Sequence, residues 1–353
     1  MHQMIAELDK SHFGIIPSRL YEDVDQATAG GPQEGTAGID VRAVDGRALV
    51  TVVEGDAPAA ARGVQPGWEI LAVGDVEMRP KLAALGDEFA GKTTREFILA
   101  RAVTSRLAGE IGDSVRVLFL DGADREIELH LPLVEPKGNR MGLGNLPKQY
   151  VRIRTERLAA GVGYIAFNFF LDPGRVMGAF NEAMAAYMDA PGVIIDLRGN
   201  IGGIGGMAMG MAGWFIEEQG LELGTMYMRE GEINFAVTPR PETYPGPLAV
   251  LIDGLSASTS EILVGGLKDL GRARTFGTPT AGAALPSMIE KLPNGDGFQY
   301  AIANYISEGG EVLEGVGVTP DEPCPPAREA LLAGGDPALD AALAWIQGNQ
   351  RDD

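Results

Sequence analysis

Ser258 stands where a hydroxyl group could act as a nucleophile in acyl transfer. Residues 250–282 read VLIDGLSASTSEILVGGLKDLGRARTFGTPTAG, which predicts an apolar strand, a turn of small residues and an amphipathic helix. A serine at the start of that helix lies near unpaired N–H groups and the positive end of the helix dipole. Both stabilise negative charge on an attacked carbonyl oxygen. Serine is also a common helix N-cap, so the position alone leaves both roles open.

A serine hydroxyl is a weak nucleophile at its free pKa, so this chemistry needs a base. The three histidines of the chain are His2, His12 and His130. His2 is close to the N-terminus, and His130 lies in the alternating segment EIELHLPL, which predicts an ordinary strand position. His12 lies in DKSHFGIIP, and an imidazole titrates near neutrality, as proton transfer requires. Lys291 is the other candidate base that is close to Ser258 in sequence.

Strands and helices alternate around the serine. Strand patterns cover residues 162–167, 192–196 and 248–252, and helical patterns cover residues 173–188, 207–218 and 258–270. This alternation predicts an α/β layered core. The Gly-rich sequence IIDLRGNIGG, residues 194–203, predicts a tight turn that Asp196, Arg198 and Asn200 would hold by hydrogen bonds.

A β-rich module precedes that core. Strand patterns occur at residues 39–43, 48–53, 114–120 and 126–131, and residues 79–110 read as mainly helical. A linker rich in Gly, Pro and Lys follows at residues 135–149. The expected domains are an N-terminal helical segment at 1–35, the β-rich module at 36–135 and the α/β domain at 136–353.

The run S-A-S-x-S-E-I, followed by G-L-x-D-x-G-R-A and G-x-P-T, resembles the signature of the tail-specific or C-terminal processing peptidases, serine peptidases of family S41. The resemblance implies a crotonase-like layered core with Ser258 as the nucleophile. It also implies an oxyanion hole with the Thr259 amide as one donor. The second donor would come from the Gly-rich turn, where Gly202 and Gly203 remain alternatives, because glycine lets an amide approach the substrate without a Cβ. Glu261 becomes a charge in the first helical turn.

Residues 57–78, APAAARGVQPGWEILAVGDVEM, resemble part of a PDZ domain. The resemblance implies a groove that accepts an extended peptide as an added strand and holds its C-terminal carboxylate with backbone amides. The helical stretch at residues 79–110 would enlarge this PDZ-like module.

One part of the family pattern is absent. Where the better-known branch has its lysine base and a following glutamine, this chain has Ala283 and Ser287, which excludes a Ser–Lys dyad at those positions. Two alternatives to a histidine-dependent enzyme therefore stay open: a non-catalytic peptide-binding protein on the same fold, and a Ser–Lys peptidase that uses Lys291.

The Ser11–His12 pair just ahead of the PDZ-like module resembles the tricorn-like branch, which implies His12 as the base. That branch also uses a glutamate shortly before G-V-x-P-D. The matching text, EVLEGVGVTPD at residues 311–321, indicates Glu314, with Glu311 as the nearby alternative. Ser11 and Glu314 would orient His12 or a bridging water.

Bulk properties exclude other classes of protein. The formal net charge of -20 argues against nucleic acid as a partner, and a single cysteine excludes a disulfide framework and a multi-cysteine zinc site. The resemblance implies no metal and no cofactor, and a protein or peptide substrate. No apolar stretch has the length of a transmembrane helix. The first residues do not resemble a signal peptide, so we expect a cytoplasmic protein, or a periplasmic or cell-envelope one if a leader is missing.

Overall fold

The computed structural model describes residue 5 and residues 7–8, 10–18 and 34–349. The chain forms two compact units. Unit 1 comprises Met1–Tyr21, Gly138–Cys324 and Ala338–Asp353, and unit 2 comprises Glu22–Lys137 and Pro325–Pro337. His2 and much of the N-terminal segment predicted as helical lie outside the described residues.

The strands of the described residues are β1 (Gly14–Ile16), β2 (Glu34–Gly35), β3 (Ile39–Val44), β4 (Arg47–Val53), β5 (Glu69–Val73), β6 (Val76–Glu77), β7 (Gly109–Glu110), β8 (Ser114–Leu120), β9 (Glu126–Pro132), β10 (Asn139–Met141), β11 (Gln149–Val151), β12 (Ile153–Arg157), β13 (Gly163–Phe167), β14 (Val193–Asp196), β15 (Glu222–Met228), β16 (Gly231–Ala236), β17 (Leu248–Ile252), β18 (Arg274–Gly277), β19 (Ser287–Lys291), β20 (Gly297–Ala301), β21 (Ala303–Ser307) and β22 (Glu322–Pro323). The α-helices are α1 (Pro58–Ala61), α2 (Met78–Glu88), α3 (Arg95–Leu107), α4 (Pro173–Ala186), α5 (Gly205–Ala212), α6 (Thr259–Asp269), α7 (Arg328–Leu332) and α8 (Pro337–Gly348).

Unit 2 is built on an antiparallel sheet in the order β3-β4-β5-β8-β9, with β6 paired to β5. Helix α3 buries Leu99, Val103 and Leu107, whose spacing of four residues places them on one face. The rings of Trp68 and Phe119 pack edge to face in the same core.

A segment close to the C-terminus of the chain completes unit 2. Helix α7 lies in the Pro325–Pro337 segment, and Leu332 packs so closely on Gly67 that a Cβ there would lie 2.7 Å from the leucine Cγ. Arg328 donates to the Asp121 carbonyl at 2.6 Å and pairs with Asp124 at 3.0 Å. The second of these contacts is an ion pair, so the segment is held by apolar packing and by charge.

Unit 1 has a sheet in the order β12-β13-β14-β17-β18-β22, parallel from β13 onward, with β12 antiparallel at the edge. Successive side chains of a strand point to opposite faces, so a sheet covered on both faces has continuously apolar strands. In β17, Leu248, Val250 and Ile252 join the core formed with helices α4, α5 and α6. Ala249 and Leu251 join the opposite core, which includes residues of α8.

Two smaller sheets complete the part of unit 1 that concerns the site. One has the order β16-β15-β21 and the other the order β1-β20-β19. Strand β1 pairs antiparallel with β20, and the Ser18 amide donates to Asp296 Oδ1 at 2.7 Å. These contacts hold the segment that carries Ser11 and His12.

The parallel pairing of β14 with β17 determines where the candidate site forms. Asp196, the last residue of β14, is opposite Leu251 of β17. The carboxyl ends of the two strands therefore lie side by side, and ligands of open α/β sheets bind at that edge. The Gly-rich turn after β14 and the turn that leads to Ser258 both begin there.

Candidate active site

Ser258 immediately precedes α6 and has an unusual backbone conformation, with φ 56° and ψ -118°. Positive φ is strained for a residue with a Cβ, and such strain is concentrated at functional sites. Three hydrogen bonds hold the turn before it: Ser256 Oγ donates to the Leu197 carbonyl at 2.8 Å, and Asp253 Oδ1 accepts from the amides of Gly199 at 2.9 Å and Leu255 at 3.0 Å. The turns after β14 and β17 are therefore bonded to each other.

Glu261 lies beneath the serine and is fully buried. Its Oε2 accepts from the amides of Ser258 and Ala283, each at 3.0 Å, and its Oε1 accepts from Thr280 Oγ1 at 2.6 Å and the Gly282 amide at 2.7 Å. Burial raises the pKa of Glu261 to about 7, although these four donors act in the opposite direction. The residue expected as a charge in the first helical turn is thus a buried carboxyl group that holds the surrounding backbone by hydrogen bonds. The spacing Ser-x-x-Glu, typical of a capping box, was the signal for it.

The Gly-rich turn passes directly beside Ser258. A Cβ on Gly202 would lie 2.7 Å from Ser258 Cβ and 2.8 Å from the Thr259 nitrogen. The Gly202 amide donates to Asn200 Oδ1 at 3.0 Å. Only glycine fits this approach, and the Gly202 amide already has an acceptor within the turn.

Gly203 differs from Gly202 in its hydrogen bonds. It forms a parallel bridge with Phe170, in which the Phe170 amide donates to the Gly202 carbonyl and the Ile204 amide donates to the Phe170 carbonyl. The Gly203 carbonyl accepts from Thr259 Oγ1 at 2.8 Å. Within residues 34–349, the amides of Gly203 and Thr259 have no hydrogen-bond acceptor.

Asn200 joins the two turns. It is fully buried, its side chain donates to the Phe167 carbonyl at 2.8 Å, and its carbonyl accepts from the Ala257 amide at 3.0 Å and from Ser260 Oγ at 2.8 Å. The expectation that Asn200 holds the turn agrees with these contacts.

Asp196 and Arg198 support the start of the same turn. Arg198 forms an ion pair with Asp196 at 2.6 Å, and the Tyr164 hydroxyl donates to the same carboxylate at 2.7 Å. Burial alone would raise the pKa of Asp196, but the charge of Arg198 and these hydrogen bonds outweigh it and hold the pKa below its ordinary value. Asp196 and Arg198 therefore act on the turn, as expected from the sequence.

Ser11, His12 and Glu314 form a second cluster in unit 1. Ser11 Oγ donates to Glu314 Oε2 at 2.7 Å, the Ser11 amide donates to Oε1 at 2.7 Å, and Ser11 Oγ lies 2.7 Å from His12 Nδ1. A hydroxyl has one proton to donate, and the Ser11 hydroxyl donates it in the hydrogen bond to Glu314. His12 Nδ1 must therefore supply the proton of its own contact, which leaves the lone pair on Nε2.

The environment of His12 favours the neutral imidazole. Burial lowers the pKa of His12 from its ordinary value, although the negative charge of Glu314 acts in the opposite direction. The backbone of His12 also has positive φ, at 57°. A neutral ring with a free Nε2 has the form that a general base requires.

One peptide group connects the two clusters. The Ala283 carbonyl accepts from the Ser258 amide at 2.9 Å, and the N–H of the same peptide bond, on Ala284, donates to Glu314 Oε2 at 3.2 Å. The side chains of Ser258 and His12 do not hydrogen-bond to each other in the described part of the chain. Catalytic hydrogen bonds are often long in the absence of substrate.

The competing candidates lie elsewhere. Glu311 is exposed, and its amide donates to Ser307 Oγ at 3.3 Å. Lys291 is exposed at the end of β19, and His130 is exposed in β9. Among residues 34–349 and the described N-terminal residues, no three His, Cys, Asp or Glu side chains form a group that could hold a metal ion.

Comparisons with known proteins place the chain among the serine-type peptidases. Residues 161–324 match the family model described as "Peptidase family S41". The matched region contains the Gly-rich turn and Ser258, whereas Ser11 and His12 precede it.

The chain is also similar to curated relatives in sequence and to solved structures in fold. A carboxyl-terminal-processing protease of Picosynechococcus sp. is 24% identical over 344 residues, which cover 92% of this chain and 72% of the relative. A chloroplastic carboxyl-terminal-processing peptidase 2 of Arabidopsis thaliana is 26% identical over 286 residues, covering 76% of this chain and 52% of that one. The fold is similar to that of a photosystem II D1 C-terminal processing protease, with a TM-score of 0.58 at 21% identity over 99% of this chain and 85% of the other. It is also similar to mature CPAF in complex with lactacystin, with a TM-score of 0.64 at 15% identity over 97% and 86%.

The described helices are all too short or too polar to cross a membrane.

Proposed function

We propose that the protein is an endopeptidase that cleaves protein or peptide substrates through an acyl-enzyme on Ser258. His12 Nε2 takes the proton of the Ser258 hydroxyl as its oxygen attacks the scissile carbonyl. The imidazolium then gives that proton to the leaving amine, and water hydrolyses the ester with His12 again as the base. Ser11 and Glu314 hold the reactive tautomer and stabilise the imidazolium.

The Ala283–Ala284 peptide group is the observation that carries this proposal. Its carbonyl binds the Ser258 amide and its N–H binds the carboxylate that holds Ser11. It occupies the position from which the better-known branch of the family presents its lysine. A backbone connection to the histidine cluster at this position favours a Ser-His-Ser-Glu arrangement over a Ser–Lys dyad.

For the oxyanion hole we propose the amides of Gly203 and Thr259. Both lack an acceptor in the described structure, whereas the Gly202 amide donates to Asn200. The hydrogen bond from Thr259 Oγ1 to the Gly203 carbonyl links the two residues. Removal of one such donor from an oxyanion hole typically costs about 100- to 1,000-fold in kcat.

We propose that unit 2 is a PDZ-like domain inserted in a crotonase-like core. It would bind the C-termini of peptide substrates. Strand β3 lies at the edge of the antiparallel sheet, so one of its sides is not paired within that sheet. An edge strand beside a helix is the arrangement by which PDZ domains bind an extended peptide. Calorimetric titration of the protein with a peptide, and with the same peptide amidated at its C-terminus, tests the role of the carboxylate.

A fluorophosphonate probe tests the catalytic assignment. We expect wild type to be labelled and Ser258→Ala not to be, with labelling of His12→Ala slowed about a hundredfold or more. His130→Ala is the matched histidine control and Lys291→Ala tests the alternative base; both should label at the wild-type rate. Loss of labelling in Lys291→Ala with retention in His12→Ala would establish the Ser–Lys alternative. If folded wild type is not labelled, the result would favour the alternative that the chain is a non-catalytic peptide-binding protein.

A further inference from the structure

A recess of about 450 Å³ lies in unit 1 beside the proposed catalytic group and includes Glu314 in its lining. Four of its other lining residues are apolar, namely Leu285, Ala301, Ala303 and Val312, and the remaining two are Asn304 and Lys10. Leu285 is buried and the two alanines are half-buried. The four apolar residues suit the apolar stem of a substrate side chain.

The recess shares one residue, Glu314, with the proposed catalytic group. Glu314 holds Ser11 and accepts from the Ala284 amide, and Leu285 is the residue that follows. Lys10, which also lines the recess, lies two positions before His12. A substrate residue near the cleaved bond can therefore place its side chain in the recess.

A lysine contributes a positive charge to the lining of the recess. The chain has a formal net charge of -20, yet an exposed lysine, Lys10, lines this recess. No acidic residue among those the structure describes forms an ion pair with Lys10. The other charged lining residue, Glu314, already accepts three hydrogen bonds, two from Ser11 and one from Ala284.

We infer that this recess is a substrate subsite that selects a side chain with an apolar stem and a carboxylate end, and that Lys10 determines this preference. The inference rests on the proposed peptidase function. Glutamate has the required stem and charge, and its carboxylate would pair with the Lys10 ammonium. A pair at an exposed rim corresponds to a preference of about three- to fivefold over a neutral isostere.

Cleavage of a proteome-derived peptide library by wild type, read by mass spectrometry, should show glutamate enriched at one position near the cleaved bond. Two fluorogenic peptides that differ only by Glu or Gln at that position then isolate the charge. We expect the ratio of kcat/KM for the Glu and Gln peptides to be about three to five in wild type, about one in Lys10→Gln and below one in Lys10→Glu. Lys148→Glu makes the same charge change at an exposed lysine outside the recess and should keep the wild-type ratio.

Val312→Glu provides a second route to the same result, because it places a negative charge in the recess at a residue distant in sequence from His12. It should also lower the Glu to Gln ratio, and thermal melting checks that each variant is folded. A wild-type ratio of one, or a preference that persists in Lys10→Gln, would refute the subsite while the peptidase function stands. A wild type that cleaves no peptide and takes no fluorophosphonate would refute both.

Discussion

The hydroxyl of Ser11 decides which nitrogen of His12 carries the proton. It donates to Glu314 and must accept from Nδ1, so the lone pair that can act as a base is on Nε2. In the proposed mechanism, a serine placed between histidine and carboxylate has the orienting role that an aspartate performs directly in the Ser-His-Asp triad. The cluster is the chemically decisive part of the proposed site.

Glu314→Gln should affect both the rate and the pH dependence. Burial lowers the pKa of His12 and the Glu314 charge partly offsets that effect. With His12 as the base, activity requires the neutral imidazole, so it should fall as the pH drops through the pKa of His12, which burial holds below its ordinary value. Removal of the charge lowers that pKa further, so the acid limb should move to lower pH while the maximal kcat falls about tenfold or more.

The measurement is a pH profile of kcat/KM on a peptide substrate. Glu311→Gln removes an equal charge from an exposed position three residues away and should leave the profile in place. If the acid limb of the profile lies at the same pH in Glu314→Gln as in wild type, Glu314 does not act on the titrating group.

The Gly-rich turn after β14 requires glycine at two positions beside the proposed site. Gly202 has φ +93° and lies against Ser258, and Gly203 has φ +140° and lies against the Phe170 carbonyl. Side chains at these positions would collide with backbone or with the nucleophile. The turn is thereby restricted to glycine at the point where a substrate oxygen would be bound.

Gly202→Ala should fold less stably and lose most labelling by fluorophosphonate, because the new Cβ would lie 2.7 Å from Ser258 Cβ. Gly206→Ala is the control in the adjoining helix α5, where the nearest atom, Met209 Cε, lies 4.0 Å from the new Cβ. The control should label normally and melt at the same or a higher temperature, since alanine favours a helix over glycine by up to about 1 kcal/mol. Normal labelling of Gly202→Ala would contradict the close approach described for this turn.

Element boundaries were less predictable than element types. The strand at Leu248–Ile252 and the helix that begins after Ser258 agree with the sequence analysis. The helix expected at residues 207–218 instead ends at Ala212. Gly213 contacts the Thr238 carbonyl and its own carbonyl accepts from the Arg240 amide, so tertiary contacts replace the next helical turn. The β15–β16 hairpin was not predicted from the sequence.

Over the whole of unit 1, stability depends on covering both faces of the sheet. Helix α8 covers the face opposite α4, α5 and α6, and Ile346 packs so tightly on Gly192 that a Cβ there would lie 2.4 Å from Ile346 Cγ2. Gly192 directly precedes β14, which leads into the Gly-rich turn. A helix near the end of the chain thus supports the strand that positions the site.

Ile346→Ala should lower the free energy of unfolding by about 2–4 kcal/mol, because it removes a fully buried side chain and leaves a cavity. Urea denaturation followed by tryptophan fluorescence measures the change. Gln347→Ala, at an exposed neighbour, should stay within about 0.5 kcal/mol of wild type. Equal effects of the two substitutions would mean that α8 does not cover the sheet as described.

Much of the fold and the proposed nucleophile could be predicted from local sequence. Apolar periodicity and turn residues act over a few positions, so the strand, turn and helix around Ser258, and its likeness to family S41, could be read directly. The pairing of Ser11 with Glu314, across 303 positions, rested on resemblance until the fold brought them together.

Only the tertiary structure decided the remaining features. It buried Glu261 and placed residues 325–337 in unit 2. Among the described residues it also left the Gly203 amide without an acceptor, whereas the Gly202 amide donates to Asn200. Each depends on which distant groups share a hydrogen bond or a packing contact. Local periodicity determines the face and type of an element, whereas a proton's position, a buried charge and a free amide depend on the neighbours that folding supplies.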